Sequence, residues 1–269
     1  MGTDWKSIQM STPEARDQAR ELIASSRFMA VLTGAGISAE SGVPTFRGAG
    51  GLWRGQAAES LATPVAFSRN PAEVWEFYHA RFVGLSGVEP NDGHRALAAL
   101  EGGCERFWLL TQNVDGLHRD AGSRNPIELH GTIRVARCQA CRRECGIEAA
   151  FHGWAPGDIP VCNACGGSLR PAVVWFGETL PVAALQAADE AIRSCDTMLV
   201  VGTSGVVQPA ASFAYSARSR GAKVIEVNPE ETPISEIANV VLRGPAAVEL
   251  PFLLQPDDRK RLRNDARAD

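Results

Sequence analysis

Short, almost wholly apolar runs recur along this chain, with room for a helix between several of them. The first, Phe28–Thr33, ends at a glycine and shows no polar face, the pattern of a parallel strand covered on both sides. Residues 107–110, Thr197–Val201, Lys223–Val227 and 239–242 repeat it. Helical patterns occupy 12–25, 181–194 and 209–220. The first opens with Pro13 and Glu14 and carries Leu22 and Ile23 on its apolar face. Strands alternating with helices predict an α/β fold, a doubly wound parallel sheet.

Two segments break this rhythm. Residues 48–91 hold loops around an amphipathic helix near 71–85, and residues 133–171 are rich in Gly and Pro and carry paired cysteines. Both are expected to be insertions that build a smaller second lobe. That leaves 1–47, 92–132 and 172–256 for a large domain and 257–269 as a charged tail.

Composition narrows the partners. The chain has 269 residues, enough to bury a large core. With 45% hydrophobic and 22% charged residues it has the balance of an ordinary globular protein. A net charge of −4 offers no basic excess for nucleic acid, so recognition of a charged substrate must be local. No apolar run approaches the roughly 18–20 residues that span a bilayer. The N-terminus lacks the apolar core of a secretory signal, and Lys6 stands where a myristoylation site needs Ser or Thr. The expectation is a cytoplasmic, monomeric protein without a membrane or nucleic-acid partner. Seven cysteines in such a chain point to metal or free thiols rather than disulfides.

The candidate chemistry starts at Gly34-Ala35-Gly36-Ile37-Ser38-Ala39, which follows the first strand with G-x-G-x-x-[GA] spacing. Glycines let the backbone turn close to a pyrophosphate, and the N-terminus of a following helix favours its charge. Alone, the motif also describes a plain tight turn. The acidic residue that hydride-transfer enzymes carry about 20 positions on is not evident, Glu59 being late. Further along, Arg47 suits a phosphate and Phe46 suits shielding of a reactive centre. Gln112, Asn113 and Asp115 fall just past the strand at 107–110, where open α/β sheets bind ligands. Asn113 suits a water or ribose hydroxyl, and Asp115 a carboxamide. His130, in Glu128-Leu-His-Gly131, has the chemistry of a general base near neutral pH. His79, His94, His118 and His152 read as structural.

Cys138-x2-Cys141 and Cys162-x2-Cys165 are separated by 20 intervening residues. Two such hooks close a tetrahedral zinc site. Four thiolates leave the metal no open position, so the zinc is structural. Cys145 is a nearby spare, and Cys104 and Cys195 read as core thiols.

Taken together, the motifs resemble the sirtuins, the NAD-dependent protein-lysine deacylases. Gly34–Gly42, Thr45-Phe-Arg47, Thr111-Gln-Asn-Val-Asp115, His130-Gly131, the four cysteines, Phe176-Gly-Glu178, Gly202-Thr-Ser204 and Asn228-Pro229 match in order. The likeness runs from about residue 20 to 251. It implies a Rossmann-type large domain and a zinc lobe, with NAD and acyl-lysine meeting in the cleft between them. It also implies that Gly202, Thr203, Ser204, Asn228 and Glu230 touch the adenosine half of NAD, with backbone near Ala246 at the adenine. Phe176, Gly177 and Glu178 would face the substrate peptide.

Tyr78 and Arg81 lie three apart on one predicted helix and so share a face, with Ala62 upstream. This resembles the class III pattern of prokaryotic and related sirtuins, in which Tyr and Arg bind the carboxylate of succinyl- or malonyl-lysine and a small residue widens the pocket. Arg offers a fork to a carboxylate, and Tyr adds a hydroxyl donor. The resemblance implies a reaction in which the acyl oxygen attacks C1′ of the nicotinamide ribose and nicotinamide leaves. His130 then acts as base through the ribose hydroxyls, with free lysine and O-acyl-ADP-ribose as products. NAD is consumed, acylated-lysine proteins or peptides are the partners, and one zinc is structural. Two rival readings are an NAD-dependent mono-ADP-ribosyltransferase on the same fold and a non-catalytic NAD-sensing module.

Overall fold

The computed structural model describes residues 11–45 and 51–254. Its central sheet has six strands: β1 (Phe28–Thr33), β2 (Arg106–Thr111), β3 (Ile127–Glu128), β4 (Thr197–Val201), β5 (Lys223–Val227) and β6 (Val240–Leu242). They lie in the order 6-5-4-1-2-3, and every neighbouring pair is parallel. The α/β reading of the sequence therefore holds. The order reverses between β1 and β4, and in a doubly wound sheet that reversal opens a crevice at the carboxyl ends of the strands.

Successive residues of a strand face opposite sides, and β1 shows how one apolar run serves two cores. Met29 and Val31 pack with Ala19, Ile23, Leu97, Leu100 and Leu250 from the helices Pro13–Ser25, Asp92–Glu101 and Ala246–Leu253. Ala30 and Leu32 pack with Ala188, Ile192, Phe213 and Ala217 from the helices Val182–Ser194 and Ala211–Ser219. The first helix starts as the sequence implies: Thr12 caps it by accepting from Ala15 N, and Pro13 occupies its first turn.

A third core lies outside the sheet. Trp75, Phe77 and Tyr78 of helix Pro71–Gly84 pack with Ile133, Ile147, Leu169 and Trp175. The strand Gly131–Cys138 runs between Glu144–Gly146 and Leu169–Val173 as an antiparallel sheet of three. Trp75 Nε1 donates to Leu169 O at 3.1 Å, which joins the helical segment to the cysteine-bearing one.

Two local expectations change. The segment after Gly34 is a seven-residue 3-10 helix, Ala35–Ser41, not an α-helix. Gly36 N bonds across to Gly202 O at 2.8 Å, Ile37 N bonds back to Gly34 O at 3.2 Å, and Gly42, at φ 87°, ends the helix. The helix Asp92–Glu101 has no counterpart in the sequence reading. No described helix is long and apolar enough to cross a membrane. Phe46, Arg47, Lys6 and the charged tail lie outside the described residues.

Candidate active site

The expected cofactor loops all leave the carboxyl ends of central strands. Gly34 follows β1, Gln112–Asp115 follow β2, Gly202–Ser204 follow β4, and Asn228–Glu230 follow β5. Gly34 N donates to Val201 O at 3.0 Å. A Cβ on Gly36 would lie 2.7 Å from Gly202 Cα and O, and one on Gly34 would lie 2.8 Å from Gly202 O. Close approach of two backbones, rather than a left-handed turn, is what demands these glycines. Thr203 joins three loops: Gln112 Nε2 donates to its hydroxyl at 2.9 Å and Asn228 Nδ2 to its carbonyl at 2.8 Å. Asn228 Oδ1 accepts from Glu230 N at 3.1 Å. Ala246 is buried at the start of its helix, and the next residue, Ala247, donates N–H to Glu40 Oε2 at 3.3 Å.

A buried polar cluster lies beneath these loops. Ser38 Oγ donates to Asp115 Oδ2 at 2.8 Å and accepts from Asn113 Nδ2 at 3.1 Å. His94 Nε2 stands 3.3 Å from the same hydroxyl. The Ser38 proton is already given to Asp115, so His94 is the donor there. Asp115 Oδ1 accepts from Leu117 N. Burial raises the Asp115 pKa, opposed by the Leu117 and Ser38 hydrogen bonds and by the charges of Arg134 and Arg81. Arg134 also donates to Asp115 O at 3.0 Å and pairs with Asp120, which pins this turn to the lobe strand Gly131–Cys138.

His130 is half-buried at the start of that strand, and its Nδ1 is 2.9 Å from Gln112 O. A carbonyl only accepts, so Nδ1 carries the proton and Nε2 keeps its lone pair for a proton from elsewhere. Burial lowers the His130 pKa, and the Gln112 bond partly restores it. Gly131, at φ 72°, follows, and a Cβ there would meet Ala172 O at 2.1 Å.

On the lobe side, Tyr78 and Ala62 are buried, and Phe176 N donates to Ala62 O at 2.9 Å. Arg81 is half-buried, and its guanidinium lies 5.7 Å from the centre of the Phe77 ring. Burial lowers its pKa, opposed by its electrostatic interactions with Tyr78 and Asp115. Phe176 is exposed and Gly177 adopts φ 88°. Both Glu178 oxygens are taken up by Arg170, at 2.6 and 2.9 Å, and Oε2 also accepts from Trp175 N. Glu178 therefore shapes this turn from behind.

All seven cysteines are free thiols. The sulfurs of Cys138, Cys141, Cys162 and Cys165 lie within 4.8 Å of one another, with pairs at 3.5 and 3.7 Å. A tetrahedral metal with Zn–S of about 2.3 Å needs sulfurs about 3.8 Å apart, so the cluster fits zinc. Cys141 N–H points at Cys138 Sγ, which favours a thiolate there. Cys145 is outside the cluster. Burial pushes Cys104 and Cys195 up to about 11, as expected of core thiols.

The Sir2 family model matches residues 34–209, from the glycine turn through the cysteine hooks to the loop beyond β4. This chain belongs to the Sir2 family. An NAD-dependent protein deacylase of Thermococcus kodakarensis is 50% identical over 240 residues, covering 88% of this chain and 93% of the relative. The NAD-dependent protein deacylase sirtuin-5, mitochondrial, of Canis lupus familiaris is 44% identical over 262 residues, covering 89% and 84%. Among solved structures, a Sir2 homolog–NAD complex has a TM-score of 0.82 at 44% identity, covering 91% of this chain and 94% of that one.

Two histidines that the sequence left as structural stand with the buried polar groups beneath the loops. His94 and His118 are fully buried, with rings 4.9 Å apart. Thr33 gives its proton to Thr111 Oγ1, so it accepts from His118 Nε2–H at 2.9 Å. The spacing Asn91-x-x-His94, a helix cap, was the available signal for His94. Burial pulls His94 down to about 4 and His118 to about 3. Both are neutral in the fold and protonate near 6.5 when unfolded, so the unfolded chain binds more protons below that pH. Unfolding free energy from urea titrations is expected to be steady above pH 7. It should fall between pH 6.5 and 5 by on the order of a few kcal/mol. A flat profile there would show the imidazoles to be solvated.

Proposed function

We propose that this chain is an NAD-dependent protein-lysine deacylase that favours succinyl- and malonyl-lysine over acetyl-lysine. The family and its relatives support the first part. The acyl preference rests on one observation: Arg81 is half-buried on the same helix as the buried Tyr78, whose core also holds Ala62.

NAD lies across the crevice, its phosphates over the backbone of Gly34, Ala35, Gly36 and Ala39, with Thr45 beyond them; Phe46 and Arg47, outside the described residues, are partners that the sequence resemblance implies. Gly202, Thr203, Ser204, Asn228, Glu230 and the Ala246 backbone hold its adenosine half. Gln112 orients Thr203, and Ser38 holds Asn113 and Asp115 toward the nicotinamide ribose and carboxamide. The acylated lysine enters from the lobe, past Phe176 and Gly177. A carboxylate entering an apolar channel unpaired would be costly. Here it meets Arg81 and Tyr78, and Ala62 leaves space for it. His130 Nε2 takes the proton from the ribose hydroxyl. Cys138, Cys141, Cys162 and Cys165 hold a zinc that fixes the lobe and takes no part in the chemistry.

Mass spectrometry of reactions containing NAD and acetyl-, succinyl- or malonyl-lysine peptides tests this reading. Nicotinamide, free lysine and O-acyl-ADP-ribose are expected, with the acidic acyl groups removed more efficiently. ADP-ribose left on protein would overturn it in favour of a transferase. Arg81→Met is expected to raise KM for succinyl-lysine by roughly 10- to 150-fold, the loss of one charge-assisted hydrogen bond. The loss on acetyl-lysine should be much smaller. Equal losses would mean that Arg81 shapes the lobe instead of reading the acyl group.

A further inference from the structure

Tyr78 Oη is buried, and among the described residues it has one hydrogen-bond partner, the indole N–H of Trp175, at 2.9 Å. An indole N–H only donates. The phenol oxygen therefore accepts on that side, and its own proton has to point elsewhere. We propose that Trp175 is a specificity-determining positioning residue, which locks Tyr78 as a hydrogen-bond donor toward an acidic acyl group. This rests on the acyl reading above and adds to it the group that sets the polarity of Tyr78.

The indole is held firmly enough to act this way. Trp175 is 3% exposed. The Arg170 guanidinium lies 3.5 Å from its ring centre, and Phe67 packs with ring centres 5.0 Å apart. Its backbone N–H is taken by Glu178, whose carboxylate in turn holds Arg170. Indole, guanidinium and carboxylate thus form one closed unit behind Tyr78. Burial pushes the phenol up to about 12, so Tyr78 keeps its proton at any working pH. A free phenol can rotate and present either its proton or a lone pair. With the indole N–H on one lone pair, a carboxylate finds a donor, while a neutral acetyl methyl gains nothing. Hydrogen bonds in a chain polarise one another, so donation by Trp175 also strengthens the bond that Tyr78 makes.

The sequence carries the signal faintly. Trp175 stands directly before Phe176-Gly-Glu178 and 97 residues from Tyr78, so neither spacing nor periodicity links the two.

Trp175→Phe keeps an aromatic ring and removes the N–H. Measured in the zinc-loaded full chain, it is expected to raise KM for succinyl-lysine peptide roughly 3- to 10-fold more than KM for acetyl-lysine peptide, with kcat little changed. The decisive arm is a double-mutant cycle with Tyr78→Phe. Without the hydroxyl there is nothing to orient, so Trp175→Phe should add no selective loss in the Tyr78→Phe background. The same selective loss in both backgrounds, or equal losses on both peptides, would overturn the proposal and make Trp175 a packing residue. A wild type without preference for succinyl-lysine would sink the acyl reading itself, a result visible before any variant is made. A measurement on the wild type covers the case of a variant that does not fold. The indole N–H resonance of Trp175 should shift downfield with succinyl-lysine peptide and stay with acetyl-lysine peptide. An identical response to both peptides would count against the proposal.

Discussion

Replacing His130 by alanine or tyrosine is expected to leave a folded protein that still binds NAD but turns over at least roughly 10²- to 10⁴-fold more slowly. The side chain is half-buried and bonds through Nδ1 to Gln112 O, so little of the core depends on it. That bond sets the tautomer and leaves Nε2 unprotonated, as the proposed base requires. Burial, the larger effect, lowers the His130 pKa. A lowered pKa keeps Nε2 unprotonated as pH falls, so the acidic limb of kcat/KM should lie below the ordinary histidine value of about 6.5. Calorimetric titration with NAD, thermal unfolding and steady-state turnover of the purified variants check all three parts. Near-normal deacylation by a folded variant would place the base elsewhere.

Cys141→Ala, or removal of zinc by a chelator, is expected to unfold the small lobe and abolish activity without touching a catalytic group. Metal-binding free energy is folding free energy where no preformed site exists, about 10–16 kcal/mol for zinc-finger peptides near neutral pH. The strand Gly131–Cys138 makes the link concrete. It begins next to His130 and ends at a sulfur of the cluster, and Arg134 midway holds the Asp115–Asp120 turn. Elemental analysis of freshly purified protein should give about one zinc per chain. Protein that is active and metal-free would refute this outright.

The central sheet was legible because each strand from β1 to β6, β3 excepted, is an apolar run with no helical competitor. β3 is two residues, Ile127 and Glu128, too short for any periodicity to register. The lobe sheet hid for another reason. Gly131–Cys138 alternates, with Ile133, Ala136 and Cys138 buried between more exposed residues, but a bulge breaks its pairing between Gly131 and Ala136. The helix after Gly34 was expected from the fingerprint; its 3-10 form, seated against the backbone of Gly202 far along the chain, was not. Local motifs singled out the candidate residues for chemistry and metal, among them His130, Asn113 and the four cysteines. His94, His118, Arg134 and Trp175 act through neighbours that only the fold supplies, and nothing beside them in the sequence names those neighbours.

The strand order has a consequence for synthesis. β1 pairs with β2 across 78 residues and is fastened at its start to Asp196, 168 residues downstream. At the usual 5–20 residues per second, roughly 10–30 s separate the making of β1 from that of β4. During that interval one edge of the most apolar strand has no partner, the kind of exposed edge that invites association between chains. All four cysteines precede β4 in the chain. On the ribosome, zinc therefore meets its complete set of ligands before the central sheet can close.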